Sequence, residues 1–180
     1  SRIEADDMEF EFVPVNIGKV VREVFNTYSQ AAIDKNLEYS FYIKDDKLLS
    51  RIDSKVFIQI IGNILNNAIK FTHKGGVRVE VFSEINHEKL FNVIRITDSG
   101  IGIAKDEQKF IFDEFRQAKE GFNRPYEGTG IGLTISKKYI ELMGGSLKLE
   151  SEPGFGSVFT IRFPSLKRVT SFDLLEGNRE

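Results

Sequence analysis

The sequence predicts an α+β fold, a two-layer sandwich in which three helices cover one face of a mixed, mainly antiparallel sheet. Three observations carry this. Apolar residues recur at helical spacing in three separate segments, and strand-like alternation comes mostly in adjacent pairs joined by turn residues. The strands also do not alternate strictly with helices, as they would in a doubly wound parallel sheet.

Residues 1–13 are acidic and lack a long apolar period, so they read as an entry strand or linker. From Asn16, a favourable N-cap, the residues Ile17, Val20, Val21, Val24, Phe25, Tyr28 and Ala32 mark the first helix. Tyr39, Phe41 and Ile43 alternate with polar residues as in a half-buried strand. Asp53 caps a second apolar helix that runs to about Phe71. Gly75-Gly76 is a turn, after which Val77, Val79 and Val81 pair with a returning strand from Phe91 to Thr97. Residues 105–115 predict a short helix, and 116–129 form a polar, aperiodic loop. A third helix runs from about Gly130 to Met143 and stops at Gly144-Gly145. Leu147 to Ser151 and Ser157 to Phe163 make a final hairpin around Pro153-Gly154, and 165–180 read as a tail or linker.

Composition narrows the function classes. The 180 residues suffice for one compact domain, and 41% hydrophobic with 29% charged residues excludes a disordered chain. Twenty-five basic against 27 acidic residues give a net charge of -2, so no global field holds nucleic acid or an anionic membrane. The apolar runs are too short to span a bilayer, and the N-terminus lacks the layout of a signal peptide. With no cysteine, disulfides, zinc–thiolate sites and thiol nucleophiles are all excluded.

Four segments carry candidate chemistry. On the helix 53–71, Gln59, Asn63, Asn66, Asn67 and Lys70 share about a third of the circumference. The rest is apolar: Phe57, Ile58, Ile61, Ile64, Leu65, Ala68 and Ile69. Such a stripe can simply face water. Amides rather than Glu and Lys point instead to ligand contacts, since Asn is a mediocre helix former and a buried amide demands partners. An amide oxygen also suits Mg²⁺.

The second segment brings Asp98 to the end of a strand, followed by Ser99-Gly100-Ile101-Gly102-Ile103. A tight turn explains it equally well, but the carboxylate can accept a hydrogen bond from an exocyclic amine. The third is Gly128-Thr129-Gly130-Ile131-Gly132-Leu133 at a helix start, which fits either a hinge or a phosphate cradle of free N–H groups. It matches neither G-x-G-x-x-G nor a Walker loop. The fourth is Phe110-Ile111-Phe112-Asp113-Glu114-Phe115-Arg116, whose aromatics read as packing that anchors the following loop. Arg116, Lys119 and Arg124 are its nearby cations, each by default a solvated charge.

Taken in order, these segments resemble the catalytic, ATP-binding domain of sensor histidine kinases, within the wider family of DNA gyrase, Hsp90 and the mismatch-repair ATPases. NILNNAIKFT (63–72), DSGIGI (98–103), FIFDEFRQ (110–117) and GTGIGLTIS (128–136) look like its asparagine, first glycine, phenylalanine and second glycine boxes. The resemblance covers roughly 9–164 and implies a Bergerat-type sandwich with a mobile ATP lid over about 116–129. It also makes 1–8 resemble the end of a preceding dimerisation helix.

The resemblance implies a role for each matching residue. Asn67 would coordinate Mg²⁺, Asn63 would assist at the phosphates, Lys70 would contact phosphate and Phe71 would lie against adenine. Asp98 would read the adenine amino group, helped by Gly100, Gly102, Ile103 and Thr160. Gly128, Thr129, Gly130, Ile131, Gly132 and Leu133 would cradle the phosphates, and Arg116 would approach the γ-phosphate. Asn63 stands where gyrase and Hsp90 types carry a water-activating Glu. ATP would therefore be kept for the histidine of a partner dimerisation domain, with a response-regulator receiver domain downstream.

His73 and His87 read as surface residues rather than acceptors, and Glu127 stands where many relatives have Gly. The expected setting is cytoplasmic and monomeric, without nucleic acid or direct membrane contact. Two other readings compete: a nucleotide-gated binding module presenting Phe122 and Tyr126, and a self-contained ATPase, against which Asn63 argues.

Overall fold

In the computed structural model, the described residues are 9–45, 47–112 and 132–170. The elements in chain order are β1 (Val13–Asn16), α1 (Ile17–Asp34), β2 (Glu38–Ile43), β3 (Leu49–Ile52), α2 (Ser54–Phe71), β4 (Gly76–Asn86) and β5 (Lys89–Asp98). They continue with α3 (Lys105–Gln108), α4 (Leu133–Leu142), β6 (Ser146–Glu152) and β7 (Gly156–Pro164).

The main sheet has five strands in the order β2-β4-β5-β7-β6. Among the described strands only β2 and β4 pair in parallel, because β3 and α2 form the crossover between them. The expected mixed, mainly antiparallel sheet is therefore present. On its inner face Val79, Ile96, Phe159 and Leu149 form one cross-strand row, and Val81, Ile94, Ile161 and Leu147 the next. These rows join Ile60, Ile61, Ile64 and Leu65 of α2 and Ile140 of α4 in one core.

The helices start where side-chain chemistry dictates. Asn16 Oδ1 accepts the Lys19 amide at 3.1 Å to open α1. Asp53 opens α2 by accepting the Val56 amide at 3.0 Å, and its other oxygen accepts the Glu11 amide at 2.8 Å. Burial raises the Asp53 pKa, but the amides of Val56, Glu11 and Lys55 and the Lys55 charge outweigh it and hold the carboxyl below its usual value.

Several expectations need correction. The entry strand expected within 1–13 lies instead at 13–16, where it pairs antiparallel with 49–52, a segment with no expected element, to form a second small sheet. Of the helix expected over 105–115, Lys105–Gln108 is helical and turns follow through Phe112, while 113–115 lie outside the described residues. Ile58 is not buried with the apolar face of α2; it is 43% exposed, beside exposed Gln59. The first residues after β7 stay attached to the fold, because Ser165 donates to Leu90 O at 2.9 Å and Leu166 to Leu49 O at 2.8 Å. No described helix is long and apolar enough to cross a membrane.

Candidate nucleotide site

The inner face of the sheet changes character at one end. Beyond the apolar rows, the next register row is Val77, Asp98, Ser157 and Ser151, so three polar side chains close this end of the face. Asp98 is only 7% exposed. Burial pushes its carboxyl above the ordinary value, and the backbone amides of Gly100 and Ser157 pull partly the other way. The Gly100 amide donates to Asp98 Oδ1 at 2.8 Å.

The loop after Asp98 is held on both sides. Ile101 N–H donates to Phe71 O at 3.2 Å, which ties it to the end of α2. A Cβ on Gly100 would lie 2.6 Å from that same carbonyl oxygen, so the close approach requires glycine. Ser99 Oγ accepts the Gly76 amide at 2.9 Å and so joins the loop to the turn after α2. On the other side, Gly154 N–H donates to Ile101 O at 2.8 Å and Ile103 N–H to Ser151 Oγ at 2.8 Å. Gly102 has a φ of +68° and packs on the Glu152 carbonyl, which leaves no room for a side chain. Gln108 Nε2 closes the corner, donating to Ile103 O at 2.7 Å and Ser151 O at 2.9 Å.

The amide stripe of α2 divides on folding. Gln59 is exposed, Asn63 is buried, and Asn66, Asn67 and Lys70 are half-buried. Asn63 Nδ2 donates to Ser136 Oγ at 3.4 Å and so links α2 to α4 inside the protein. Lys70 Nζ stands 5.4 Å from the centroid of the half-buried Phe71 ring. At the start of α4, Gly132 is the N-cap with extended backbone and no side chain to satisfy the first amides, while Leu133 packs against the core. Thr134 Oγ1 donates to Ile111 O at 3.0 Å, and Lys137 Nζ lies 5.4 Å over the Phe112 ring, so the described part of the fourth segment abuts α4.

The Asp98 loop thus joins the end of α2 through Phe71 and the β6–β7 hairpin through Gly102 and Ile103, while Asn63 joins α2 to α4, with Asn67 and Lys70 on the intervening turns of α2. One expected residue is misplaced. Thr160 pairs with Arg95 and Lys148, three positions from Ser157, so strand alternation puts it on the outer face, away from Asp98. The hydroxyl on the Asp98 side is Ser157, with Ser151 Oγ at 2.8 Å from it. Counting within the hairpin could not reveal this without the β5–β7 register. Arg116, Gly128, Thr129, Gly130 and Ile131, with Lys119, Phe122, Arg124, Tyr126 and Glu127, lie outside the described residues. His73 and His87 are exposed. Among the described residues no three His, Cys, Asp or Glu side chains converge as a metal cage.

Comparisons with known proteins agree with this geometry. The profile of the histidine kinase-, DNA gyrase B-, and HSP90-like ATPase family matches residues 52–167. Sensor histidine kinase GacS of Pseudomonas protegens is 36% identical over 163 residues, covering 89% of this chain and 18% of the relative. Sensor histidine kinase RcsC of Escherichia coli is 34% identical over 165 residues, covering 91% and 17%. The chain therefore spans less than a fifth of the length of these relatives. Among solved structures, full-length ShkA in complex with AMPPNP superposes with a TM-score of 0.70 at 25% identity, covering 90% of this chain and 33% of that one. The nucleotide-free catalytic domain of histidine kinase ThkA superposes at 0.67 with 26% identity, covering 87% of this chain and 97% of that one. The matched residues take in helix α2, the Asp98 loop and the β6–β7 hairpin, and the chain belongs to the histidine kinase-, DNA gyrase B- and HSP90-like ATPase family.

Proposed function

We propose that this chain binds Mg-ATP at the α2–β5–α4 junction and provides its γ-phosphoryl group to a histidine on a partner dimerisation domain, in two-component signalling. The observation that carries the reading is Asp98, a buried carboxylate at the end of the sheet face beside the C-terminus of α2. A base with an exocyclic amine satisfies such an acceptor; a carbonyl in its place sets acceptor against acceptor. The sensor-kinase relatives and the AMPPNP complex of ShkA support the same reading.

In this reading Asp98 takes the adenine amino group, with Ser157 and the amides around Gly100, Gly102 and Ile103 completing the base pocket. Phe71 lies along the base, and Lys70 extends toward the phosphates. Gly132 and Leu133 present the positive end of α4 to phosphate oxygens. Asn67, half-buried on the stripe facing that end, supplies an amide oxygen to a magnesium ion carried mainly by phosphates and water. The lack of a carboxylate cage among the described residues suits such a site, because Mg²⁺ of this kind takes few protein ligands. The ion, when bound, neutralises charge on the phosphates.

Asn63 separates transfer to a histidine from hydrolysis. An amide is no base, and its nitrogen is already engaged with Ser136, so water beside the terminal phosphate gains no activation there. The chain alone should release phosphate at near-background rates. The direct test adds the histidine-bearing domain of the same kinase in trans with Mg-ATP and follows acid-labile, base-stable phosphate. Transfer supports the proposal; tight ATP binding without transfer contradicts the kinase reading.

A further inference from the structure

Every helix end leaves carbonyls without an intrahelical donor, and the C-terminal end of α2 meets the nucleotide site. Its last turn is satisfied from outside the helix. Thr72 Oγ1 donates to Ala68 O at 2.7 Å, and Ile101 N–H of the Asp98 loop donates to Phe71 O at 3.2 Å. Between them, Lys35 Nζ donates to Ile69 O at 2.6 Å and to Lys70 O at 3.0 Å. Lys35 is the C-cap residue of α1, and its ammonium group therefore caps a different helix. A cation at this end also opposes the negative pole of α2.

The backbone around Lys35 is set for this reach. Leu37 N–H donates back to Ala32 O at 3.0 Å, and Asn36 adopts a φ of 55°, so α1 ends in a tight reversal. Leu37 is buried, which fixes that reversal against the core. The Lys35 stem is thereby aimed across at α2 rather than into solvent, and the residue is half-buried.

We infer that Lys35 is a positioning residue for nucleotide recognition: its ammonium group fixes the last turn of α2, and through Phe71 O the loop that presents Asp98 and Gly100. The inference rests on the nucleotide-binding reading above. Consecutive carbonyls at 69, 70 and 71 are pinned by Lys35 twice and then by Ile101, so loosening the first two frees the third. Gly100 sits against that third carbonyl with no slack, and Asp98 Oδ1 is held by the Gly100 amide. Adenine recognition and the α1 C-terminus are in this way one connected piece of backbone.

The test compares wild type, K35M and K35R in the full chain, with D98N as a control for loss of base recognition. Two quantities are read: adenosine and Mg-ATP affinity by calorimetry, and hydrogen exchange at the Ile101 and Ile94 amides without nucleotide. K35M keeps the aliphatic stem and loses the donor. It should weaken adenosine and Mg-ATP by a similar factor, about ten-fold, and speed exchange at Ile101 while Ile94 in the sheet stays protected. K35R should retain most of both properties. Unchanged affinity and unchanged Ile101 exchange in K35M overturn the inference, as does equal acceleration at Ile101 and Ile94, which marks a purely global role. If K35M does not fold, K35R decides: Ile101 exchange and adenosine affinity must then move together or the inference fails. A wild-type chain indifferent to nucleotide sinks the functional reading instead, and the exchange comparison still judges Lys35.

Discussion

Asp98 and Ser157 stand opposite each other across β5 and β7, and the Ser157 backbone amide helps to hold the Asp98 carboxylate. Burial disfavours the charge of this carboxylate, and the two amides offset that only in part. Asp98→Asn should weaken Mg-ATP by about 2–3 kcal/mol, the scale of a lost charge-assisted hydrogen bond. The same variant without nucleotide should melt no lower than wild type. Calorimetry with ATP and GTP, beside thermal melts, checks both halves.

The pH dependence follows from the sign of that shift. A carboxyl whose native pKa is raised binds its proton more tightly folded than unfolded. Its contribution therefore turns unfavourable as pH rises from the ordinary carboxylate value through the raised native one. Urea midpoints of Asp98→Asn minus wild type should grow in the variant's favour across that window and then level off. Nucleotide affinity should move the opposite way, falling as acid protonates Asp98.

Asp53 should behave inversely. Its native pKa lies below the usual value, so its contribution is complete above the unfolded pKa and is lost as pH falls through the native one. Asp53→Ala removes the α2 cap and the anchor for Glu11, at a cost of about 1–2 kcal/mol at neutral pH. Denaturant melts at pH 7 and at low pH should show that difference shrinking with acid.

Gly100→Ala tests the pressure of the loop on α2. The new methyl would meet Phe71 O at 2.6 Å and Asp98 Oδ1 at 2.8 Å, so the loop or the carboxylate must move. The expected outcome is loss of measurable ATP binding with a smaller fall in melting temperature. Crystals of the variant should show Asp98 displaced.

Asn67→Ala should remove most of the magnesium dependence of ATP binding. Wild type in EDTA and the variant in Mg²⁺ should have similar affinities, each weaker than wild type with Mg²⁺ by about 10–100-fold, the scale for disturbing a metal site. Titrations with and without chelator measure this.

The sequence made some of this legible and hid the rest for physical reasons. Helix α2 announces itself through Phe57, Ile61, Ile64, Leu65 and Ala68, because one period decides which face is buried. Asp98 was visible since a carboxylate before Gly100 and Gly102 concentrates unusual chemistry in few residues. Strand β3 was not, because four residues with one alternation carry too little signal against a loop. Thr160 is misassigned from sequence since a strand's parity is set by its partner, and its partner on β5, Arg95, lies 65 residues away. Lys35 gave no sign at all, because its partners are backbone carbonyls thirty-four and thirty-five residues away.

Titrating the 180-residue chain with Mg-ATP in a calorimeter tests the central claim most directly. The predicted result is saturable one-to-one binding that GTP does not reproduce and Asp98→Asn largely abolishes. No heat with Mg-ATP, or equal affinity in the Asp98→Asn variant, would contradict the account.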